Sequence, residues 1–83
     1  MDFKTLIKTK RKDGVQYHYK ADNGYGASII QTSYSYGGKD GLWELAVLDS
    51  DGKITYNTAI TNDVLGYLSE EEVNQTLEKI KNL

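Results

Sequence analysis

The 83-residue chain contains no cysteine and no proline, and it has a single histidine. Without cysteine, the chain can form no disulfide, no thiolate zinc site and no thiol nucleophile. Small secreted domains usually depend on disulfides, so this absence favours a reducing cytoplasm. With only one histidine, no catalytic arrangement that needs a second imidazole base can be assembled.

Long apolar runs are also missing. No stretch approaches the roughly eighteen apolar residues of a membrane-spanning helix, and the first residues lack the continuous apolar region of a signal peptide. The sequence therefore predicts a soluble chain that is neither exported nor inserted in a membrane.

The composition that is present is typical of a small folded domain. Apolar residues make up 39% of the chain and charged residues 27%, a balance that disordered segments do not have. Chains of this length bury only about 60 to 65% of their unfolded surface, so we expect one domain with a thin core. A thin core also favours self-association, and we expect a homodimer formed through a sheet edge or an exposed face.

Charge is unevenly distributed along the chain. Residues 1–20 carry six basic and two acidic side chains, whereas the remainder carries four basic and ten acidic ones. The N-terminal part is therefore basic, although the net charge of the whole chain is -2.

Turn signals predict five strands. Asp13-Gly14, Asn23-Gly24 and Asp51-Gly52 are dipeptides suited to tight hairpin turns, and Gly37 to Gly41 is a longer glycine-rich connection. The segments between them predict strands over about residues 3–11, 15–21, 25–36, 42–49 and 53–59, followed by a turn over 61–68. A two-residue loop at Asp13-Gly14 would place Lys10 opposite Tyr17, and Lys8 would then lie opposite Tyr19.

A helix is predicted over residues 69–82. Ser69 and Glu72 have the spacing of a capping box, and Leu68 with Val73 has the spacing of a hydrophobic staple. Apolar residues then recur at helical spacing at Val73, Leu77 and Ile80. The predicted fold class is therefore α+β, an antiparallel β-meander of four to five strands with one C-terminal α-helix packed on one face. The face of the fourth strand that carries Trp43, Leu45 and Val47 is predicted to meet the helix.

The motifs that suggest chemistry have simpler structural explanations. His18 lies on the polar side of a predicted strand, where it is expected to face solvent without a catalytic partner. Asp49 to Gly52 lacks the later ligands of a calcium loop and is typical of a β-turn. The lysine in the Gly37 to Gly41 loop precedes a strand, whereas a phosphate-binding loop precedes a helix. We therefore predict no enzymatic activity, no metal site and no cofactor.

Two binding surfaces are predicted instead. The chain has seven tyrosines against one phenylalanine. Most of the tyrosines are expected to fill half-buried positions of the sheet. The remainder predict a binding face, because exposed tyrosines are common at interfaces. The first candidate is a protein-binding face formed by Tyr34, Tyr36, Lys39 and Trp43. The alternative is a surface for single-stranded nucleic acid on the basic hairpin, formed by Lys8, Lys10, Arg11, Lys12, Tyr17 and Tyr19. A small acidic domain fits nucleic acid less well, and lysines also protect an edge strand from aggregation.

Three segments carry a resemblance to a known group of proteins: NGYGAS at 23–28, SYGGKDGLWELAV at 35–47 and ITNDVLGYL at 60–68. Together they resemble short uncharacterised proteins encoded by bacteriophages and prophages, over about residues 8–82. The resemblance implies a cytoplasmic accessory protein of a bacterial host cell and carries over no catalytic residues. Our leading hypothesis is a non-enzymatic protein-interaction module that acts on a host or phage protein.

Overall fold

The computed structural model of the chain describes residues 2–61 and 63–83. A five-stranded antiparallel sheet, in which each strand pairs with its neighbour in sequence, carries one C-terminal helix on one face. The strands are β1 (Ile7–Arg11), β2 (Gly14–Lys20), β3 (Gly26–Thr32), β4 (Trp43–Leu48) and β5 (Leu65–Leu68), and the helix is α1 (Glu70–Lys81). The predicted fold class is confirmed. Within the described residues, no helix is long and apolar enough to cross a membrane.

Strand alternation gives the sheet two different faces. Tyr17 pairs with Ile29, and Ile29 pairs with Leu45, so one row of apolar side chains crosses the three central strands. This core face meets α1, whose apolar stripe is fully buried at Val73, Leu77 and Ile80. The predicted side of β4 therefore does face the helix. The opposite side, which we call the open face, has no helix packed on it and carries His18 and Ser28.

Three aromatic rings form the centre of the core. The Phe3 ring lies 5.3 Å from the Tyr17 ring and 4.9 Å from the Trp43 ring, in edge-to-face arrangements. Such pairs add about 0.5–1.5 kcal/mol each beyond the burial of apolar area. The three rings join the start of the chain to β2 and β4.

The N-terminal segment folds inward instead of continuing β1. The prediction of a strand from residue 3 is wrong, because Phe3–Thr5 forms a 3₁₀ turn capped by the Asp2 carboxylate. The Phe3 N–H donates to Asn74 Oδ1 on α1 at 2.8 Å. The Lys4 ammonium lies 2.5 Å from the Glu70 carboxylate, which raises the pKa of Lys4. Burial of the Phe3 ring and these two contacts outweigh the alternating pattern of the sequence.

The start of α1 has the predicted capping box. The Glu72 N–H donates to Ser69 Oγ at 3.1 Å, and the Ser69 N–H donates to Glu72 Oε1 at 3.0 Å. The hydrogen bond from the Ser69 N–H favours the charged carboxylate, and it lowers the pKa of Glu72. The helix therefore begins where the sequence places it.

The fifth strand was predicted in the wrong segment. Residues 53–59 contribute only an isolated bridge between Ile54 and Leu48, whereas β5 lies within the predicted turn over 61–68. Threonine side chains explain the difference, because Thr55, Thr58 and Thr61 each accept a backbone N–H two residues ahead. Such local hydrogen bonds compete with the strand ladder.

The first hairpin has a different register from the predicted one. Its turn is formed by residues 12–13, so Lys8 lies opposite Tyr17 and Lys10 opposite Val15. Gly14 is already part of β2 and pairs with Thr32. A Cβ at Gly14 would lie 2.0 Å from the Gln31 carbonyl oxygen, so this glycine permits close strand contact instead of a turn.

The third strand is shorter than predicted. It ends at Thr32, whose Oγ1 accepts the N–H groups of Tyr34 and Ser35. The Ser35 hydroxyl in turn accepts the Thr32 N–H. These contacts turn the chain out of the sheet before Tyr34, so the predicted extension to residue 36 is wrong.

Replacing Ser69 by alanine should remove the cap of α1. We expect Ser69→Ala to lower the free energy of unfolding by about 1 kcal/mol, as for other serine caps. Urea denaturation followed by circular dichroism measures this change. Ser50→Ala is the matched control, since Ser50 is exposed in a turn, and we expect its effect to stay within about 0.5 kcal/mol. Equal effects of the two substitutions would contradict the role of the cap.

Replacing Phe3 by alanine tests the inward fold of the N-terminal segment. Phe3 is fully buried, so Phe3→Ala should lower the free energy of unfolding by about 3–5 kcal/mol, a large fraction of the stability of a small domain. Ile7→Ala, four residues later, removes a side chain that is 75% exposed and should change stability by less than about 0.5 kcal/mol. Thermal unfolding distinguishes the two variants. A similar small effect at both positions would show that Phe3 does not belong to the core.

Candidate functional site

Three tyrosines on the segments beside β4 expose most of their side chains. Tyr34 is 89% exposed, Tyr36 is 58% exposed and Tyr67 is 60% exposed. Tyr34 and Tyr36 belong to the connection between β3 and β4, and Tyr67 lies on β5. We call Tyr34, Tyr36 and Tyr67 the tyrosine patch. Lys39 is exposed three residues after Tyr36.

A β-bulge positions Tyr67. Trp43 pairs with Leu68 and Leu45 pairs with Leu65, so Gly66 and Tyr67 together lie opposite the single residue Glu44. The bulge gives Tyr67 a φ of 56°, in the left-handed region. Tyr67 is the one non-glycine residue of the described chain with a positive φ.

Backbone contacts hold Tyr36 against the bulge. The Tyr36 N–H donates to Glu44 Oε1 at 3.0 Å, and the Tyr67 N–H donates to the Tyr36 carbonyl at 3.2 Å. Gly66 leaves room for the Tyr36 side chain, because a Cβ at Gly66 would lie 2.6 Å from Tyr36 Cβ. The position of Tyr36 is therefore set by hydrogen bonds and by a glycine on the next strand.

The conformation of Tyr67 has an energetic cost. A left-handed conformation costs an L-residue roughly 1–2 kcal/mol, and glycine or asparagine adopts it more readily. The Tyr67 ring is mainly exposed, so burial of the ring does little to offset that cost. Strained residues of this kind concentrate at functional sites. An exposed aromatic ring held in a strained conformation therefore marks Tyr67 as a candidate binding residue.

Trp43 does not belong to this surface. It is only 4% exposed and packs against Phe3 and Tyr17 in the core. The structure therefore contradicts its prediction as part of an exposed protein-binding face. Its position on the core face of β4 follows from the same alternation that buries Leu45 and Val47. Tyr34, Tyr36 and Lys39 are exposed, as that prediction requires.

The basic hairpin exposes its charges but not the predicted stacking rings. Lys8, Lys10, Arg11 and Lys12 are exposed. Tyr17 is 6% exposed, and its ring belongs to the core. Tyr19 packs against the core as well, and burial raises the pKa of its hydroxyl. The predicted use of Tyr17 as a stacking platform is wrong, because its ring packs against Phe3 of the N-terminal segment and against Trp43.

The motifs with suggested chemistry take up structural roles. His18 is exposed on the open face, and its Nε2 lies 3.4 Å from Gln16 Nε2. Asp49 Oδ1 accepts the N–H groups of Asp51 and Lys53, which is the geometry of a turn. The glycine-rich loop forms a 3₁₀ turn bounded by Gly37 and Gly41, both with positive φ. No group of three or more histidine, cysteine or acidic residues that could hold a metal ion occurs in the described part of the chain.

Tyr67 belongs to neither of the two binding surfaces predicted from the sequence. One signal for it was present, since an isolated glycine within a strand indicates a bulge or a close backbone approach. Gly66 has both properties here. Because residues 61–68 were predicted as a turn, that signal was not used.

Comparisons with protein-family models, with curated proteins and with solved structures found no match for this chain.

The strain at Tyr67 can be measured. Tyr67→Gly should leave the free energy of unfolding unchanged or raise it by about 1 kcal/mol, because glycine adopts a positive φ without steric cost. Tyr34→Gly, at a position without positive φ, should lower stability by about 0.5–1 kcal/mol. Urea denaturation of both variants provides the comparison. A clear loss of stability in Tyr67→Gly would show that the ring is needed for folding and would remove the argument for function.

Proposed function

We propose that the chain is a small, non-enzymatic protein-interaction domain that binds its partner through the tyrosine patch. The observation that carries this proposal is the exposed ring of Tyr67 in a left-handed backbone conformation. The fold would be at least as stable with glycine there. A tyrosine at this position is best explained by a contact outside the domain.

The surroundings of Tyr67 support the same proposal. Tyrosine combines a large rigid apolar surface with a hydroxyl group, and it loses little conformational entropy on binding. The backbone of Tyr36 is fixed by Glu44 and by the β5 backbone, so the position of this residue is already set in the free protein. Preorganisation of this kind lowers the cost of association. Lys39 adds an exposed positive charge to the connection that carries Tyr34 and Tyr36, which favours a partner surface with a carboxylate at its rim.

The resemblance to phage and prophage proteins extends the proposal. It supports an accessory role in the cytoplasm of a bacterial host, with a host or phage protein as the partner. Single-stranded nucleic acid is the weaker alternative, because Tyr17 is unavailable for stacking on bases. A homodimer that buries the patch would be a special case in which the partner is a second copy.

Capture from a bacterial lysate with matched variants tests this function. We expect the wild-type domain and Tyr56→Ala to retain a specific protein partner, and a Tyr34→Ala/Tyr67→Gly variant to lose it. Tyr56 is the control because it is 51% exposed but lies outside the patch. Once the partner is identified, its dissociation constant should rise about 30-fold or more in the double variant, as for interface hot spots. Titration calorimetry measures that constant.

Two results would contradict the proposal. One is a partner that binds the double variant and the wild type equally. The other is turnover of a small molecule by the purified domain that His18→Ala abolishes, which would indicate an enzyme. Sedimentation at several concentrations separates a homodimer from a foreign partner.

A further inference from the structure

We propose that the free edge of β1 binds an extended acidic segment of a partner polypeptide as a sixth, antiparallel strand of the sheet. This site is separate from Tyr36 and Tyr67 of the tyrosine patch, which lie beside β5 at the other edge of the sheet. It depends on backbone pairing and charge and not on aromatic contacts. The two proposals can therefore fail independently.

The β1 edge is open along its whole length. β1 is the first strand in the sheet order and pairs only with β2. All five of its residues are exposed, and within the described part of the chain their backbone groups form no hydrogen bond outside the ladder with β2. Its register with β2 runs from Ile7 to Arg11 without a bulge. Unpaired N–H and C=O groups in a regular row are a template for a further strand.

The edge at β5 offers no comparable site. β5 has four residues and contains the bulge at Gly66 and Tyr67. The Tyr67 N–H is already bonded to the Tyr36 carbonyl. A bulge and a bound loop are two ways in which proteins close a sheet edge. The β1 edge has neither, and it carries no proline.

The basic side chains of β1 and its turn determine which kind of segment can bind beside this strand. Lys8 and Lys10 lie on one side of β1, and Arg11 lies on the other side, followed by Lys12 in the turn. Within the described residues, the ammonium groups of Lys8, Lys10 and Lys12 form no ion pair. A strand added beside β1 would place alternate side chains next to these cations. Acidic residues at those positions would be attracted, and basic ones would be repelled.

Ile7 determines where the bound segment should carry an apolar side chain. It lies on the open face and is 75% exposed, more than any other isoleucine among the described residues. It also lines one side of a concavity of about 260 Å³ that His18, Gly26 and Leu48 help to form on the same face. An apolar side chain opposite Ile7 would cover it at the rim of this concavity. A segment that runs antiparallel to β1 has its first residue opposite Arg11 and its last residue opposite Ile7. Its expected sequence is therefore Glu-Glu-Val-Glu-Leu.

Other occupants fit the edge less well. A second copy pairing through its own β1 would bring the lysines of two basic edges together, and like charges on adjacent strands repel. The phosphates of single-stranded nucleic acid would neutralise the basic side chains. They would leave the backbone N–H and C=O groups along the edge of β1 unpaired as a strand. Nucleic acid would also lack a stacking ring from Tyr17.

The test uses the whole chain and a synthetic peptide, acetyl-Thr-Glu-Glu-Val-Glu-Leu-Thr-amide. Titration followed by NMR should show binding below about 1 mM, with the largest shifts at the amides of β1. Hydrogen exchange of the outward-facing β1 amides should slow when the peptide is bound. A peptide with proline in place of the central valine has the same charge but cannot pair as a strand. We expect it to bind at least about tenfold more weakly.

Variants in which lysines are replaced by glutamate provide a second test of the proposal. Lys8→Glu/Lys10→Glu should weaken peptide binding about tenfold or more, because two attractions become repulsions. Lys79→Glu/Lys81→Glu changes the net charge equally at exposed positions in the last turn of α1, and its effect should stay within about threefold. Tyr34→Ala/Tyr67→Gly should leave peptide binding unchanged. Circular dichroism shows whether each variant is folded. If a variant is unfolded, the comparison of the two peptides on the wild-type chain still tests the proposal.

Four results would overturn the proposal. They are the absence of peptide binding up to about 1 mM, equal binding of the proline peptide, equal losses in the two charge-reversal variants, and shifts centred outside β1. Displacement of the peptide by a thymidine oligonucleotide that binds more tightly would assign the edge to nucleic acid instead. Self-association that Lys8→Glu/Lys10→Glu abolishes would assign it to a second copy.

Discussion

The contact among Phe3, Tyr17 and Trp43 is the interaction on which the rest of the structure depends. A sheet with one helix can bury only one of its faces, and in a chain of this size the core is thin. The Phe3 ring fills the space between the helix and the outer part of the core face, where α1 alone would leave Tyr17 and Trp43 partly uncovered. One ring from the start of the chain thereby completes a core built mainly from β2, β3, β4 and α1.

This arrangement also has a cost. The Trp43 Nε1–H is buried and has no acceptor among the described residues. A buried donor without a partner costs about 1–3 kcal/mol. The edge-to-face contacts of the Trp43 ring with Phe3 and Tyr17 offset part of that cost. Because Trp43 is used in this way, the exposed aromatic surface of the domain consists of tyrosines, among them those of the tyrosine patch.

Local signals in the sequence predicted most of the fold. The Ser69 capping box, the apolar stripe of α1 and the alternation of β4 each depend on residues close in sequence, and all three are observed. The position of β5 depended on hydrogen bonds to threonine side chains, which compete with the hydrogen bonds between strands. The strand propensities of single residues do not describe this competition. The register of the first hairpin depended on a close approach of Gly14 to β3.

The candidate site was only partly predictable for the same reason. Exposure of Tyr34 and Tyr36 follows from their place in a polar connection after Thr32. The burial of Trp43 follows from the alternation of β4, which predicts that its side meets the helix. The burial of Tyr17 also depends on the Phe3 ring, which the alternating pattern of residues 3–11 assigned to a strand. The backbone strain at Tyr67 arises from the unequal pairing of β5 with β4, which has no sequence signal beyond Gly66.

The hydrogen bond between Phe3 and Asn74 joins residues 71 positions apart in the chain. The sheet itself needs no such closure, because every strand pairs with its neighbour in sequence and the meander can grow hairpin by hairpin. Contacts that close long loops form slowly, since the chain must lose entropy before the contact repays it. We therefore expect the hairpins to assemble first and the insertion of Phe3 beneath α1 to be the late step that completes folding.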